Sequence, residues 1–177
     1  ADRVEGNLLA AHQEITKLGL LYPAGELSAE QIEAAVLNVA RYDVFKLSEA
    51  ILGGQRARVQ RMLDGLRAEG EAEVLVHYAV AEEIRALKRV KDALAAGRPL
   101  PMALREQRIW GLRERLFERV LPRLTEMQLA NLLHAAHQVD GIVKGLKHPG
   151  WPQDGWQALH RLAQGLCAAC SGAVARR

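Results

Sequence analysis

Cysteine, aromatic residues and long apolar runs are scarce in this sequence of 177 residues. With two cysteines in the chain, a zinc site would need two further ligands of another type. No uncharged apolar run approaches the ~18 residues that cross a bilayer, and no charged-then-apolar leader opens the chain. These absences argue against a membrane or secreted protein, and we expect a cytoplasmic one with no membrane contact.

Catalytic and nucleotide-binding motifs are also missing. No serine–histidine–acid or paired-carboxylate arrangement rises above chance. Gly53-Gly54-Gln55-Arg56 precedes a helix start, where phosphate can bind. It lacks the Gly-Lys-Ser/Thr of a nucleotide loop, however, and no predicted strand precedes it. We interpret the glycines as the end of a helix, and we expect no catalytic residue, no cofactor and no metal.

Two close pairs of possible metal ligands keep a rival hypothesis open, a metal or redox enzyme. Cys167 and Cys170 have the spacing of redox and zinc motifs, yet they lie near the end of a predicted helix, where the dipole raises a thiol's pKa. His134 and His137 are three residues apart, with apolar residues between and around them. We favour small apolar helix residues for the cysteines, and the border between core and solvent for the histidines.

The abundant residues predict helices. Hydrophobic residues make up 49% of the chain, and Ala, Leu, Glu, Gln and Arg dominate, so we expect an all-α fold. The first helix, over residues 4–22, has an apolar stripe too wide for one neighbouring helix to cover, so it should pack from more than one side. The stripe consists of Leu8, Leu9, Ala11, Ile15, Leu18, Leu20, Leu21 and Tyr22.

Capping and turn signals divide the rest of the chain. Ser28 and Gln31 predict a capping box that opens a second helix. Asp43 is a candidate cap for a third helix, which Gly53-Gly54 ends, so that three helices form a bundle over the first 54 residues. The next helices are expected over 55–69 and 71–96, although 74–80 could pass for a strand. Later helices are expected over 102–121, from a second capping box at 125–128, and after the irregular loop 147–155.

Charge is distributed unevenly along the chain. Residues 1–70 carry eight basic and ten acidic residues, whereas residues 71–177 carry sixteen and eleven. The stretch 85–123 alone has eleven basic and four acidic residues, a net charge of +7. Such a block favours an anionic partner or an acidic neighbouring subunit. Gly70, near the change of sign, is a candidate domain boundary.

Six arginines crowd one short part of this basic stretch, with too few acidic neighbours to neutralise them. Unpaired arginines are typical of surfaces that bind the carboxylates or phosphates of a partner. We therefore predict a subunit interface here. Its residues are Arg105, Arg108, Arg113, Arg115, Arg119 and Arg123.

Trp151 lies in a glycine- and proline-rich loop that begins with Lys147. An aromatic residue on a stiff basic loop is typical of base stacking on nucleic acid. The alternative is that Trp151 folds back and caps the last helices. On the first interpretation, Trp151 and Lys147 are candidate DNA contacts. Nearby, Asp140 and Lys144 are four residues apart and are expected to pair.

Several segments together resemble the delta subunit of the bacterial DNA polymerase III clamp loader. The resemblance extends over nearly the whole chain. The segments are Glu5-Gly6-Asn7-Leu8-Leu9-Ala10-Ala11, Gln13-Glu14-Ile15-Thr16-Lys17-Leu18, Asp43-Val44-Phe45-Lys46-Leu47 with Leu52-Gly53-Gly54, Asp140-Gly141-Ile142-Val143-Lys144-Gly145-Leu146, and Trp156.

The resemblance implies a non-catalytic subunit that helps to place the sliding clamp on primed DNA during replication. The family has an N-terminal ATPase-like domain, a helical lid and a helical collar. We expect residues 1–70 to be the lid and 71–177 the collar, with the N-terminal domain missing. The implied partners are the ATPase (gamma/tau) and delta-prime subunits through the collar, the clamp through the missing domain only, and primed DNA. The assembly serves a DNA-directed DNA polymerase, a nucleotidyltransferase.

The resemblance implies a functional interpretation for two residues. In the ATP-using sister subunits, an arginine that senses nucleotide phosphates stands where this chain has Leu9, which cannot contact phosphate. Trp151 lies where delta subunits can present an aromatic residue to the primer–template junction. One alternative of another class stays open: a stand-alone helical nucleic-acid-binding module that uses the basic stretch Arg85–Arg123.

Overall fold

The computed structural model describes residues 12, 15–16, 19–20, 22, 25–28, 31, 44 and 46–172. The regular elements among these residues are all helical, which confirms the all-α prediction. The first helical stretch that is described continuously is the segment 46–52. The later helices are α1 (Arg56–Ala68), α2 (Glu73–Ala95), α3 (Leu100–Glu106), α4 (Leu112–Val120), a 3-10 turn (Leu121–Arg123), α5 (Glu126–Val143) and α6 (Gly155–Ser171).

Helix α2 lies at the centre of the packing. It contacts α3, α5 and α6, and the stretch that could pass for a strand forms its first two turns. Val76, Val80, Ile84 and Leu87 are fully buried at steps of three and four, the period of one helical face. The helix prediction for this segment is therefore confirmed.

Helix α6 packs against α1, α2 and α5. The buried residues of α1 are Val59, Leu63 and Leu66. Because α6 is covered on three sides, small residues are buried along it, including both cysteines. This packing joins the helices into one core that extends from Val44 to Cys170.

Local capping signals in the sequence are confirmed where the structure describes them. The Thr125 hydroxyl accepts from the Gln128 backbone N–H at 3.1 Å, and the Gln128 side chain accepts from the Thr125 N–H at 2.9 Å. Ser28 and Gln31 make the same reciprocal pair, at 3.2 and 2.9 Å. Each box satisfies two backbone donors that a helix start leaves open.

The continuous helix predicted over 102–121 is wrong, because the structure breaks it after Glu106. The Ile109 N–H bonds to the Leu104 carbonyl at 3.0 Å, which closes α3, and Arg108 takes a positive φ of 53°. Gly111 has φ 64° and ψ −127°. Residues other than glycine avoid this backbone conformation. The periodicity of apolar residues alone predicts that Gly111 lies inside a helix. In the structure, its backbone conformation makes the turn at 107–111 possible.

The predicted burial of several apolar side chains is also wrong. Ile15 and Leu20, from the stripe of the first helix, are 68% and 84% exposed. Leu146, which lies beyond the end of α5 at Val143, is exposed as well. Helical periodicity predicts which residues share a face, but it does not show whether another element packs against that face. None of the described residues covers these side chains.

Most of the predicted three-helix bundle, including Asp43 and Leu9, lies outside the described residues. The domain boundary at residue 70 stays a prediction. Gly70 itself follows α1 with φ 73°, as a helix-ending glycine does. No helix within the described ranges is long and apolar enough to cross a membrane.

Candidate subunit and nucleic-acid interface

The six candidate arginines divide into two sets. The side chains of the first set make contacts within the chain. Arg113 binds Glu83 with two hydrogen bonds, Nε to Oε1 at 3.0 Å and Nη2 to Oε2 at 3.1 Å. Its guanidinium also lies 5.4 Å from the ring centroid of Phe117. Glu83 is 4% exposed, and burial raises the pKa of its carboxyl although Arg113 acts in the opposite direction. Arg113 therefore neutralises a buried carboxylate of α2.

Arg119 and Arg123 also bond within the chain. An Arg119 Nη2 hydrogen donates to the Leu52 carbonyl at 3.0 Å, which ties α4 to the end of the 46–52 segment. Arg123 donates to the Ser171 carbonyl at 3.4 Å, which ties the 3-10 turn to the end of α6. Both contacts satisfy carbonyl groups that a helix end leaves without an intrahelical partner.

The second set, Arg105, Arg108 and Arg115, is exposed. None of these three guanidinium groups pairs with a carboxylate or carbonyl among the described residues. By contrast, the neighbouring Glu106 binds Arg98 at 2.5 Å. The exposed set therefore keeps its positive charge available, and we call it the exposed arginine surface.

Sequence reasoning missed Trp110 as a surface residue. Its neighbour Ile109 is 1% exposed, yet Trp110 itself is 60% exposed, and Leu112 and Met102 are exposed as well. The turn at 107–111 positions the indole beside Arg108 in the chain. The available signal was Gly111: a glycine directly after an aromatic residue predicts a turn as readily as a helix, and a turn places that residue in solvent.

Trp151 is half-buried and packs against the core. Its Nε1–H donates to the Gln138 Oε1 at 2.7 Å, and the Arg161 guanidinium lies 4.4 Å from the ring centroid. Arg161 is held there by the Gly150 carbonyl, at 2.5 Å. One face of the indole is thus already occupied by a cation, while Lys147 is exposed. Trp110 and Trp151 lie in separate segments, the first after α3 and the second before α6.

The predicted Asp140–Lys144 pair is confirmed, with Lys144 Nζ 2.7 Å from Asp140 Oδ2. This hydrogen bond holds the pKa of Asp140 below its ordinary value. The other carboxylate oxygen faces the ring of the buried His77, with 3.6 Å between Nδ1 and Oδ1. His77 Nε2 donates to the Ala136 carbonyl at 2.8 Å. Asp140 thereby links α5 to α2.

The cysteines and the paired histidines have ordinary surroundings. Cys167 and Cys170 are buried and unbonded, and burial raises the pKa of both thiols, that of Cys170 to about 12. His134 and His137 are exposed on α5. Across the described part of the chain, no group of three or more His, Cys, Asp or Glu residues is placed to hold a metal ion.

This chain is similar in sequence to a known protein family and to two characterised relatives. Residues 44–172 match the family described as "Processivity clamp loader gamma complex DNA pol III C-term". The chain is 30% identical over 163 residues to DNA polymerase III subunit delta of Escherichia coli, covering 92% of this chain and 46% of that protein. It is 26% identical over 148 residues to DNA polymerase III subunit delta of Haemophilus influenzae, covering 79% and 43%.

The chain therefore spans about half the length of the curated relatives that it matches. The family match begins at the 46–52 segment and includes every helix from α1 to α6. These residues contain the exposed arginine surface, Trp110 and Trp151. The chain belongs to the family of C-terminal regions of DNA polymerase III clamp-loader delta subunits.

Proposed function

We propose that this chain is the assembling part of a clamp-loader subunit in DNA replication. In this proposal residues 71–177 bind the ATPase (gamma/tau) and delta-prime subunits in the cytoplasm, and residues 1–70 form the lid. The chain catalyses no reaction itself, and it meets the sliding clamp through a further N-terminal domain only. The match of residues 44–172 to the clamp-loader family is the observation that supports this most strongly.

The exposed arginine surface supports a partner of opposite charge. Guanidinium groups form bidentate bonds with carboxylates, and arginine with tryptophan is typical of the energetic centres of protein interfaces. Arg113, Arg119 and Arg123 are engaged within the chain. We therefore narrow the proposed interface to Arg105, Arg108 and Arg115 out of the six arginines.

A second candidate use of the same surface is contact with DNA, and Trp110 favours it. An exposed aromatic ring beside unpaired arginines offers one stacking face and several phosphate donors. Trp110 is 60% exposed, whereas one face of Trp151 is covered by Arg161. Contact of primed DNA with Trp151 and Lys147 remains a proposal, and stacking on the covered face of the indole requires Arg161 to move.

Charge reversal separates the two uses. The double variant Arg105→Glu with Arg115→Glu is reconstituted with the ATPase and delta-prime subunits, and complex formation and binding to primed DNA are measured. As a matched control, Arg58→Glu with Arg61→Glu reverses two exposed charges on α1. We expect the first variant to lose assembly and the control to assemble normally, because only the first removes donors for an acidic neighbour.

Intact assembly with weaker and less salt-dependent DNA binding would instead assign the surface to nucleic acid. In that case Trp110→Ala should weaken DNA binding more than Trp151→Ala. If both assembly and DNA binding survive the double reversal, the exposed arginine surface has neither role.

A further inference from the structure

A second charged site lies in an open cleft of about 440 Å³ between α2 and α5. Its lining combines two cations, a histidine and one carboxylate with a short apolar wall. The residues are Arg85, Leu133, Ala136, His137, Asp140 and Lys144. None of these residues belongs to the exposed arginine surface, and none is among the candidate DNA contacts Trp110, Trp151 and Lys147.

The carboxylate in the cleft is already engaged. Lys144 holds one oxygen of Asp140 at 2.7 Å, and the other faces His77 at 3.6 Å. Lys144 has three N–H donors, and Asp140 occupies one of them. Asp140 therefore positions the ammonium group at the cleft and leaves two donors for a ligand.

The second cation is only loosely neutralised. Arg85 lies 3.5 Å from Glu82, longer than a hydrogen bond. Glu82 is held more closely by Arg89, at 2.5 Å. Most of the five donors of Arg85 are therefore unused. His137, which hydrogen-bonds to none of the described residues, adds a ring nitrogen on the same wall.

From this arrangement we propose that the cleft binds a phosphate group between Arg85 and Lys144. The guanidinium of Arg85 on α2 and the ammonium group of Lys144, directly after α5, are donors of the kind that bind phosphate oxygens. The shared ligand chemistry is a phosphate mono- or diester. It can come from a small phosphate or from the backbone of a nucleic acid.

The test is a titration of the full chain, followed by NMR chemical shifts of the cleft residues at constant ionic strength. Inorganic phosphate and a short oligothymidylate are the two ligands, and chloride is the reference. We expect saturable shifts at Lys144 and His137. Arg85→Gln should weaken binding about tenfold, the loss of one charge-assisted bond. The control Arg61→Gln, an exposed arginine outside the cleft, should bind as the unmodified chain does.

Tighter binding of the oligonucleotide than of phosphate, lost in Arg85→Gln, would identify nucleic acid as the source. Binding of phosphate alone would identify a small phosphate. Absence of saturable shifts with either ligand overturns the proposal, as does equal weakening by Arg61→Gln. Circular dichroism verifies that each variant is folded. Because the titration needs no other subunit, its failure is distinguishable from a failure of assembly.

Discussion

Glu83 and Arg113 form an ion pair in which the carboxylate is buried. Glu83 lies on the central helix α2 and also bonds Ser48 of the 46–52 segment. Its carboxylate is 4% exposed, so an ionised form without a partner would be costly. Glu83 therefore contacts side chains from two other parts of the chain, the 46–52 segment and α4.

Removal of the cation alone should be strongly destabilising. We expect Arg113→Met to lower the free energy of unfolding by about 3 kcal/mol, because it leaves Glu83 buried and unpaired. Arg115→Met, an exposed arginine on the same helix, should change it by less than about 0.5 kcal/mol. Urea unfolding followed by circular dichroism measures both.

The matched double variant Glu83→Leu with Arg113→Met removes both charges, and it should be more stable than Arg113→Met alone. A double variant as unstable as the single one would mean that packing, rather than the unpaired charge, causes the loss.

At the scale of elements, two helix ends approach each other closely at Gly54. Its φ is 69°, and an added Cβ would lie 3.0 Å from the Ser171 Cβ and 3.3 Å from the Ser171 Cα. The end of the 46–52 segment thus lies directly against the end of α6. Gly70 follows α1 with φ 73°, and a Cβ added to it would have no neighbouring atom within 4 Å.

These two glycines allow backbone strain to be separated from crowding. Gly70→Ala should cost about 1–2 kcal/mol, the penalty of a left-handed conformation for a side chain. Gly54→Ala should cost about 1–3 kcal/mol more, since it also forces α6 away. Thermal unfolding of both variants measures the difference. Equal losses would show that the helix ends can separate freely.

How far the sequence predicts these features depends on how local their causes are. The capping boxes at Ser28 and Thr125 and the pair Asp140–Lys144 lie within four residues, and all three are confirmed. The arginine pairings are different, because Glu83 and Arg113 are thirty positions apart. Counting only the acidic residues close to the arginines in sequence does not include Glu83. Such a count therefore overestimates the number of unpaired arginines.

The break after Glu106 shows the same limit at the level of an element. Period and composition favour one helix over 102–121, and both halves are indeed helical. The positive φ at Arg108 and Gly111 depends on burying Ile109 against the core, which is a tertiary effect. Trp110, which follows Ile109 in this turn, is a surface residue.

At the scale of the whole molecule, contacts between distant segments join the matched family region into one packed unit. Arg119 binds the end of the 46–52 segment, Arg123 binds the end of α6, and Arg56 exchanges hydrogen bonds with Gln164. These bonds leave the exposed arginine surface and Trp110 on the outside. Such a unit can present a fixed surface to a partner.

Co-elution with clamp-loader partners tests the central claim most directly. The unmodified chain is mixed with the ATPase and delta-prime subunits and analysed by size-exclusion chromatography with light scattering. We predict a single stoichiometric complex that contains this chain. A folded chain that elutes alone at 19.5 kDa, while the other subunits associate with each other, would contradict its role as an assembling subunit.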